Sequence, residues 1–436
     1  MDKISVQDVF KIQGQPTITY IKRQNGYYEK KLSEALDSKG SLCLLTGPSK
    51  TGKTTLYTQV ANDKKLQVLQ VRCHQGLSVT ELWRKALEAI NFDRINENQK
   101  QREISSAGEG KISGKIGWSW LANLTGEGSV NISRSKSETE IRNRILSDPS
   151  PEHLIPVLSL LPIILVVEDF HYLTPDTQKQ IFQQWKIFVD KEVSVIVVGT
   201  THHAADLAHA NKDLFGRTIQ IDLAIWDKND LKQIALRGFT FFKIPISDSV
   251  MEVIAQESVG VPIITQSVCL ALCMNCNIRF SGDPSSNTEI SNKDAYKALH
   301  QVAAERYSVF SAIYDRLARG PRKKARKYDT YQLILSTFTL DPVVFSLKRE
   351  EIGERLKRLQ IQTIEIPPQG SVSSTLRVLG TFQKKLGIEL LDWSEKDQRI
   401  YIIEPTFLFY LRWRKARQDS PKILEVFQEF LSILRN

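Results

Sequence analysis

The chain has 436 residues, 41% hydrophobic and 25% charged, the balance of a soluble globular protein with room for two or three domains. It shows no N-terminal apolar leader and no apolar run of about 18 residues, so a cytoplasmic protein with no membrane association is expected and secretion is not. Five cysteines, an odd number, fit a reducing compartment better than a disulfide framework.

The formal charge of +10 is uneven. Residues 1–319 hold 38 Lys and Arg against 35 Asp and Glu, whereas residues 320–436 hold 21 against 14. A basic C-terminal part on a near-neutral remainder suggests an anionic partner, nucleic acid first among them.

In chain order, Thr19-Tyr20-Ile21-Lys22-Arg23 precedes a helical pattern over Tyr28–Leu36. The apolar run Leu42–Leu45 reads as a strand. It leads into Gly47-Pro48-Ser49-Lys50-Thr51-Gly52-Lys53-Thr54, and Thr55–Asp63 then reads as a helix. Strand, glycine-rich loop and helix in that order are what G-x-x-x-x-G-K-[ST] needs to act as a phosphate loop. Gly47 and Gly52 permit backbone angles and close approach that a Cβ would block. The loop amides and the helix N-terminus make a concave anion site, Lys53 supplies a point charge to the β- and γ-phosphates, and the Thr54 hydroxyl is suited to Mg²⁺.

Leu66–Cys73 is a second strand, followed by a helix from the Ser78 N-cap with Glu81 three residues on, to about Ile90. Residues 92–135 differ from their surroundings. Ile112, Gly114, Ile116, Trp118 and Trp120 alternate with polar or small residues, which predicts a β-hairpin or mobile loop inserted in the core. Its tryptophans would stack on a partner or hold the insert to the domain.

Two helical patterns, Ser137–Leu146 and Pro151–Leu161, lead to the strand Ile163–Val167, which ends in Glu168-Asp169. One acid belongs in a Mg²⁺ shell and the other polarises an attacking water. By position Glu168 takes the metal side and Asp169 the catalytic side. A further strand, Val193–Gly199, ends at Thr200 and Thr201, either of which could bond a γ-phosphate or the water. Arg217 lies just ahead of a last strand around Thr218–Leu223 and is either a phosphate-stabilising arginine or a surface residue. Helical patterns then run from Trp226 to about Arg279, with a Gly260-Val261-Pro262 step, and include Cys269, Cys273 and Cys276, which read as small buried thiols.

After the basic stretch 320–327, helices are predicted at Tyr331–Phe338, Arg349–Leu359 and Ser373–Leu386, with a hairpin over Ile388–Trp393 and Arg399–Glu404. Three helices and a hairpin are the order of a winged helix. The third helix carries Arg377, Lys384 and Lys385, and the hairpin tip carries Lys396 and Arg399, all candidate phosphate contacts. Pro405–Arg417 follows as an apolar helix with a basic end.

The loop GPSKTGKT and the strand ending VVEDFHYL resemble the Walker motifs of AAA+/STAND-type P-loop ATPases, and the initiator-like layout ends in a winged helix. The wording also resembles bacterial ATPases often found with antiviral defence or mobile-element functions. The resemblance implies an α/β P-loop NTPase (ASCE) three-layer parallel sheet over 1–225, a helical lid over 226–319 and a winged-helix domain over 320–436. It implies ATP held by residues 47–55, with Tyr20, Ile21 and Arg23 at the adenine and Pro262 from the lid. Mg²⁺ would be held through Thr54 and Glu168. The implied catalytic set is Lys53, Glu168, Asp169, Thr200 and, reaching a neighbouring subunit, Arg217. The family's usual order is Asp-Glu, so Glu168-Asp169 is inverted, and a lid arginine is missing beside Pro262; both favour slow turnover. The implied function is an ATP-driven switch that forms a homo-oligomer or recruits an effector protein. A DNA-binding initiator, loader or transposition-type ATPase and an adaptor that binds ATP structurally remain open.

Overall fold

A computed structural model describes residues 3–105, 115–125, 137–199, 216–223, 225–283, 290–321, 328–358 and 366–414. The chain divides into two compact units. One, the sheet unit, comprises Gln24–Gly47 and Gly52–Ala224; the other, the helical unit, comprises Met1–Arg23, Pro48–Thr51 and Ile225–Asn436.

The sheet unit is built on β1 (Leu42–Thr46), β2 (Gln67–Arg72), β3 (Ile163–Glu168), β4 (Val195–Val198) and β5 (Thr218–Asp222). They lie in the order β2-β3-β4-β1-β5, every neighbouring pair parallel. The three central strands are buried throughout, which is why their sequences are continuous apolar runs. Successive side chains of a strand point to opposite faces, and the two cores show it. Leu42, Leu44, Leu165, Val167, Val195 and Val197 join one core with Leu82, Trp83 and Trp185. Cys43, Leu45, Ile164, Val166, Ile196 and Val198 join the other with Leu32, Leu56 and Tyr57. Helices therefore cover both faces, and the architecture is the α/β P-loop NTPase fold expected from the sequence.

The insert differs from expectation. Phe92–Ser105 and Trp118–Leu124 are helices, while Ile112 and Gly114 lie outside the described residues. A short alternating run is a weak signal, and Trp118, Leu121 and Ala122 also fall at helical spacing; Leu121 and Ala122 are buried. Trp118 stands edge-on to Phe92 at 5.3 Å, and the Asn96 side chain bonds both the backbone N–H and C=O of Ile116. Both tryptophans rest against the sheet unit's own core.

In the helical unit, one core runs from Val6 to Trp413. Residues 3–23, expected with the sheet, fall here because Val6, Val9 and Phe10 are buried. Phe10 lies 5.4 Å from Phe239 and against Gly238, where a Cβ would come within 2.2 Å of its ring. Helices Lys228–Phe242, Asp248–Glu257, Pro262–Asn275, Asn292–Arg306 and Val309–Arg319 precede a second set, Thr330–Phe338, Arg349–Arg358 and Gln369–Leu386. Three short strands, β6 (Ser346–Lys348), β7 (Leu391–Ser394) and β8 (Arg399–Ile402), form an antiparallel sheet in the order β6-β8-β7. β6 was not expected, since three residues are too few to show a period.

The last described helix, Pro405–Trp413, carries a buried ion pair. Arg412 and Glu257 are each 1% exposed. The Arg412 Nε and Nη2 donate to the Glu257 carboxylate at 2.9–3.2 Å, Nη1 donates to the Thr339 carbonyl at 2.7 Å, and Trp413 Nε1 donates to Glu257 at 3.0 Å.

Candidate functional site

Within the sheet unit, the loop after β1 turns at Gly47, where φ is +133° and a Cβ would stand 2.3 Å from the Leu223 carbonyl oxygen. Only glycine fits there. Gly52, at φ +93°, occupies the N-cap of the helix Lys53–Asp63 and offers no side chain to its first-turn amides. Those donors are the ones a helix presents to an anion. Thr55 follows in the same turn. The Lys53 ammonium donates to the Gly47 carbonyl at 2.8 Å. Its burial lowers its pKa to about 8, against the opposing pull of Asp169, Asp222 and Glu168. Lys53 is half-buried, and a partly desolvated cation of this kind is stabilised by an arriving polyphosphate.

Glu168 ends β3 and is 4% exposed. Thr54 Oγ1 donates to its Oε1 at 2.7 Å. Asp169 follows at φ +58°, a left-handed conformation that turns the chain sharply at the strand end. Burial raises the Asp169 pKa, the charge of Glu168 adds to the rise, and Arg72 and Lys53 oppose it. The Thr54 hydroxyl and the Glu168 carboxylate are hard oxygen donors, the chemistry that suits Mg²⁺. The residues present fit that ion.

Three residues that the sequence reading passed over also reach Glu168. They are Tyr57 in the loop helix and Gln70 and Arg72 in β2. Polar residues at alternate positions of an otherwise apolar strand were the available signal for Gln70 and Arg72.

The helical unit contains the middle of the loop and the expected base contacts. Thr51 is fully buried, its hydroxyl donating to the Pro48 carbonyl at 2.9 Å, and its own carbonyl accepts from Trp226 Nε1 at 2.9 Å. Ser49 is half-buried. Lys50 is exposed at φ +62°, and its ammonium lies 3.0 Å from Glu404 and 3.3 Å from the Thr406 hydroxyl. Ile21 is buried with Leu231, Ile234 and Ala255. Arg23 is buried, donates to the Ile225 carbonyl at 3.2 Å and lies over the Trp226 ring at 4.9 Å. The Tyr20 carbonyl accepts from Arg237. Trp226 N–H donates to the Gly260 carbonyl, and Pro262 starts the next helix two residues on. Trp226, which no motif marked, thus gathers Arg23, Thr51 and the Gly260–Pro262 turn.

Thr200 and Thr201 lie outside the described residues. Arg217 is exposed at the start of β5, and its carbonyl accepts from Leu42 N–H. That is the amino end of the sheet, one five-residue strand, roughly 16 Å, from the loop of its own chain. Arg377, Lys384 and Lys385 are all exposed along Gln369–Leu386, and Lys396 is exposed between β7 and β8. Arg399 is instead committed across the small sheet, donating to the Ser346 hydroxyl at 2.7 Å. Cys269 and Cys273 are buried in a helix, where burial pushes the Cys273 thiol up to about 12. Among the described residues no group of three or more His, Cys, Asp or Glu is placed to hold a metal ion, and no helix is long and apolar enough to cross a membrane.

Residues 36–207 match the family model described as an AAA domain. Nothing among curated proteins matches the chain. Among solved structures, a Walker-type ATPase of Pyrococcus abyssi is similar at 16% identity and a TM-score of 0.50, covering 93% of this chain and 99% of that one. Cdc6p from Pyrobaculum aerophilum aligns at 13% identity with a TM-score of 0.40, covering 98% and 100%. The RuvB Holliday junction branch migration motor of Thermotoga maritima aligns at 14% with 0.38, covering 90% and 97%. At such identities the first likeness speaks to fold alone and the others carry no argument. The match to an AAA domain over residues 36–207, the strand order and the glycine-rich loop agree on a P-loop NTPase fold for that part of the chain.

Proposed function

We propose that the protein binds ATP with Mg²⁺ and hydrolyses it slowly, using the bound nucleotide as a switch for assembly or for recruiting a partner protein. The observation that carries this reading is the juxtaposition of the Lys53 ammonium, the Thr54 hydroxyl and the Glu168 carboxylate at the end of β1 and β3. Thr54 and Glu168 would hold Mg²⁺, which would supply positive charge to offset that of the phosphates. Lys53 and the loop amides hold the phosphates, and Asp169 takes a proton from the attacking water. Aspartate is one methylene shorter than the glutamate usual at this place, which favours slow turnover. Arg217, far from its own loop, suits a role at a neighbouring subunit's nucleotide, and assembly follows from that role.

The test is steady-state hydrolysis with binding measured alongside. Asp169→Asn should lower the rate at least ~100-fold, the range for a lost general base, while leaving ATP affinity nearly unchanged. An unaltered rate removes Asp169 from the reaction.

A second reading is favoured by one observation: Arg377, Lys384, Lys385 and Lys396 are all exposed on a three-helix, three-strand module. We read that module as a winged helix whose long helix and hairpin tip meet DNA phosphates. Duplex DNA affinity should then fall steeply with salt, the slope easing by about one unit for each phosphate-contacting lysine removed. A flat salt dependence leaves the module as a protein-docking surface.

A further inference from the structure

Glu168 accepts four hydrogen bonds. Thr54 Oγ1 at 2.7 Å and Tyr57 OH at 2.9 Å both donate to Oε1. Gln70 Nε2 and Arg72 Nε, the latter at 3.1 Å, both donate to Oε2. An ionised carboxylate offers about four lone-pair directions, so this one is saturated. The arrangement is built in by local structure. Parallel pairing of β2 with β3 sets Arg72 opposite Glu168 and Gln70 opposite Val166. Thr54 and Tyr57 are three residues apart in one helix and share a face. Gln70 Nε2 also donates to the Tyr57 hydroxyl at 3.0 Å, which ties the two together. Tyr57 is 2% exposed, so its hydroxyl has no water to turn to.

Of the four donors, only Thr54 belongs to the phosphate loop. We propose that Tyr57, Gln70 and Arg72 are positioning residues that lock three acceptor directions of Glu168 and aim the fourth at the place the Thr54 hydroxyl holds. When the Thr54 oxygen is engaged elsewhere, one direction of the carboxylate opens, and it opens toward the first turn of the loop helix. Glu168 then has room for a single new partner, a cation or a water that a cation holds. The other three donors keep the carboxylate from rotating. This rests on the ATP and Mg²⁺ reading given above. It also separates the two acids: Glu168 is held saturated and fixed, which leaves Asp169 to serve the water.

The alternative is that the three donors merely satisfy a buried acid. The two are separated by measuring binding of a fluorescent ATP analogue in EDTA and then across a Mg²⁺ titration, with thermal melting recorded for each variant. Tyr57→Phe removes one donor with almost no change of shape. It should raise the Mg²⁺ concentration for half-saturation about 10-fold, the lower end of what a lost ligand-orienting partner costs, and leave affinity in EDTA unchanged. Gln70→Ala, at an exposed strand position, should do the same and covers the case in which Tyr57→Phe does not fold. Equal losses with and without Mg²⁺, or no change in either, overturn the proposal and leave a structural role. If wild type binds the analogue in neither condition, the ATP reading itself fails.

Discussion

Lys53→Met is expected to weaken ATP binding by at least ~100-fold, since truncating one partner of a buried charge pair commonly costs about 2–5 kcal/mol. The side chain is nearly isosteric, so the loss isolates the charge. A pH dependence accompanies it. In the nucleotide-free protein the Lys53 pKa is lowered to about 8 from the 10.5 of an unperturbed lysine. Between those values the unfolded chain holds a proton that the folded chain has released, so stability contributed by this residue rises with pH. Below about pH 8 both states are protonated and the burial penalty is present in full. Urea titrations should therefore show Lys53→Met as the more stable protein at pH 7, the gap closing toward pH 10.5. Equal stability across that range would mean that Lys53 is not desolvated.

Arg412→Met is expected to cost about 3–5 kcal/mol, the usual effect of leaving a buried charge without its partner. Glu257 would lose the three hydrogen bonds it accepts from Arg412 while remaining 1% exposed. The carbonyl of Thr339 would lose its guanidinium donor as well. The double variant Arg412→Met with Glu257→Gln should recover much of the loss, because the uncompensated charge is gone. Thermal or urea unfolding of the full chain would show the change in the transition of the helical unit. A single variant with an unchanged profile would show that water reaches the pair. The effect concerns more than stability, since Glu257 ends the helix just before the Gly260–Pro262 turn and Arg412 sits near the end of the last described helix. The ion pair joins those two segments directly.

Much was legible locally. β1, β3 and β4 are continuous apolar runs because they are buried on both faces, and GPSKTGKT marks its loop because the backbone at Gly47 tolerates no Cβ. Ser78 was readable as an N-cap, and its side chain accepts from Glu81 N–H as the spacing implied. These signals depend on residues within one turn or one strand. The helix Trp118–Leu124 falls where a β-hairpin or mobile loop was expected, because Trp118 and Trp120 fit an alternating period as long as burial is unknown.

By itself, then, the sequence determined the strands of the sheet, the glycine-rich loop and the place of Glu168 and Asp169 at the end of β3, because periodicity, glycine placement and capping act over short stretches of chain. Only the tertiary structure decided what surrounds those groups. Arg412 reads as the basic end of an apolar helix, yet it is buried against a glutamate 155 positions away. Gln70 and Arg72 read as polar interruptions of a strand, yet parallel register brings both to Glu168. Tyr57 reads as one more apolar residue of a helix face. A charge or hydroxyl has no periodicity that names its partner, and the cost of burying it unpaired is met only once distant elements come together.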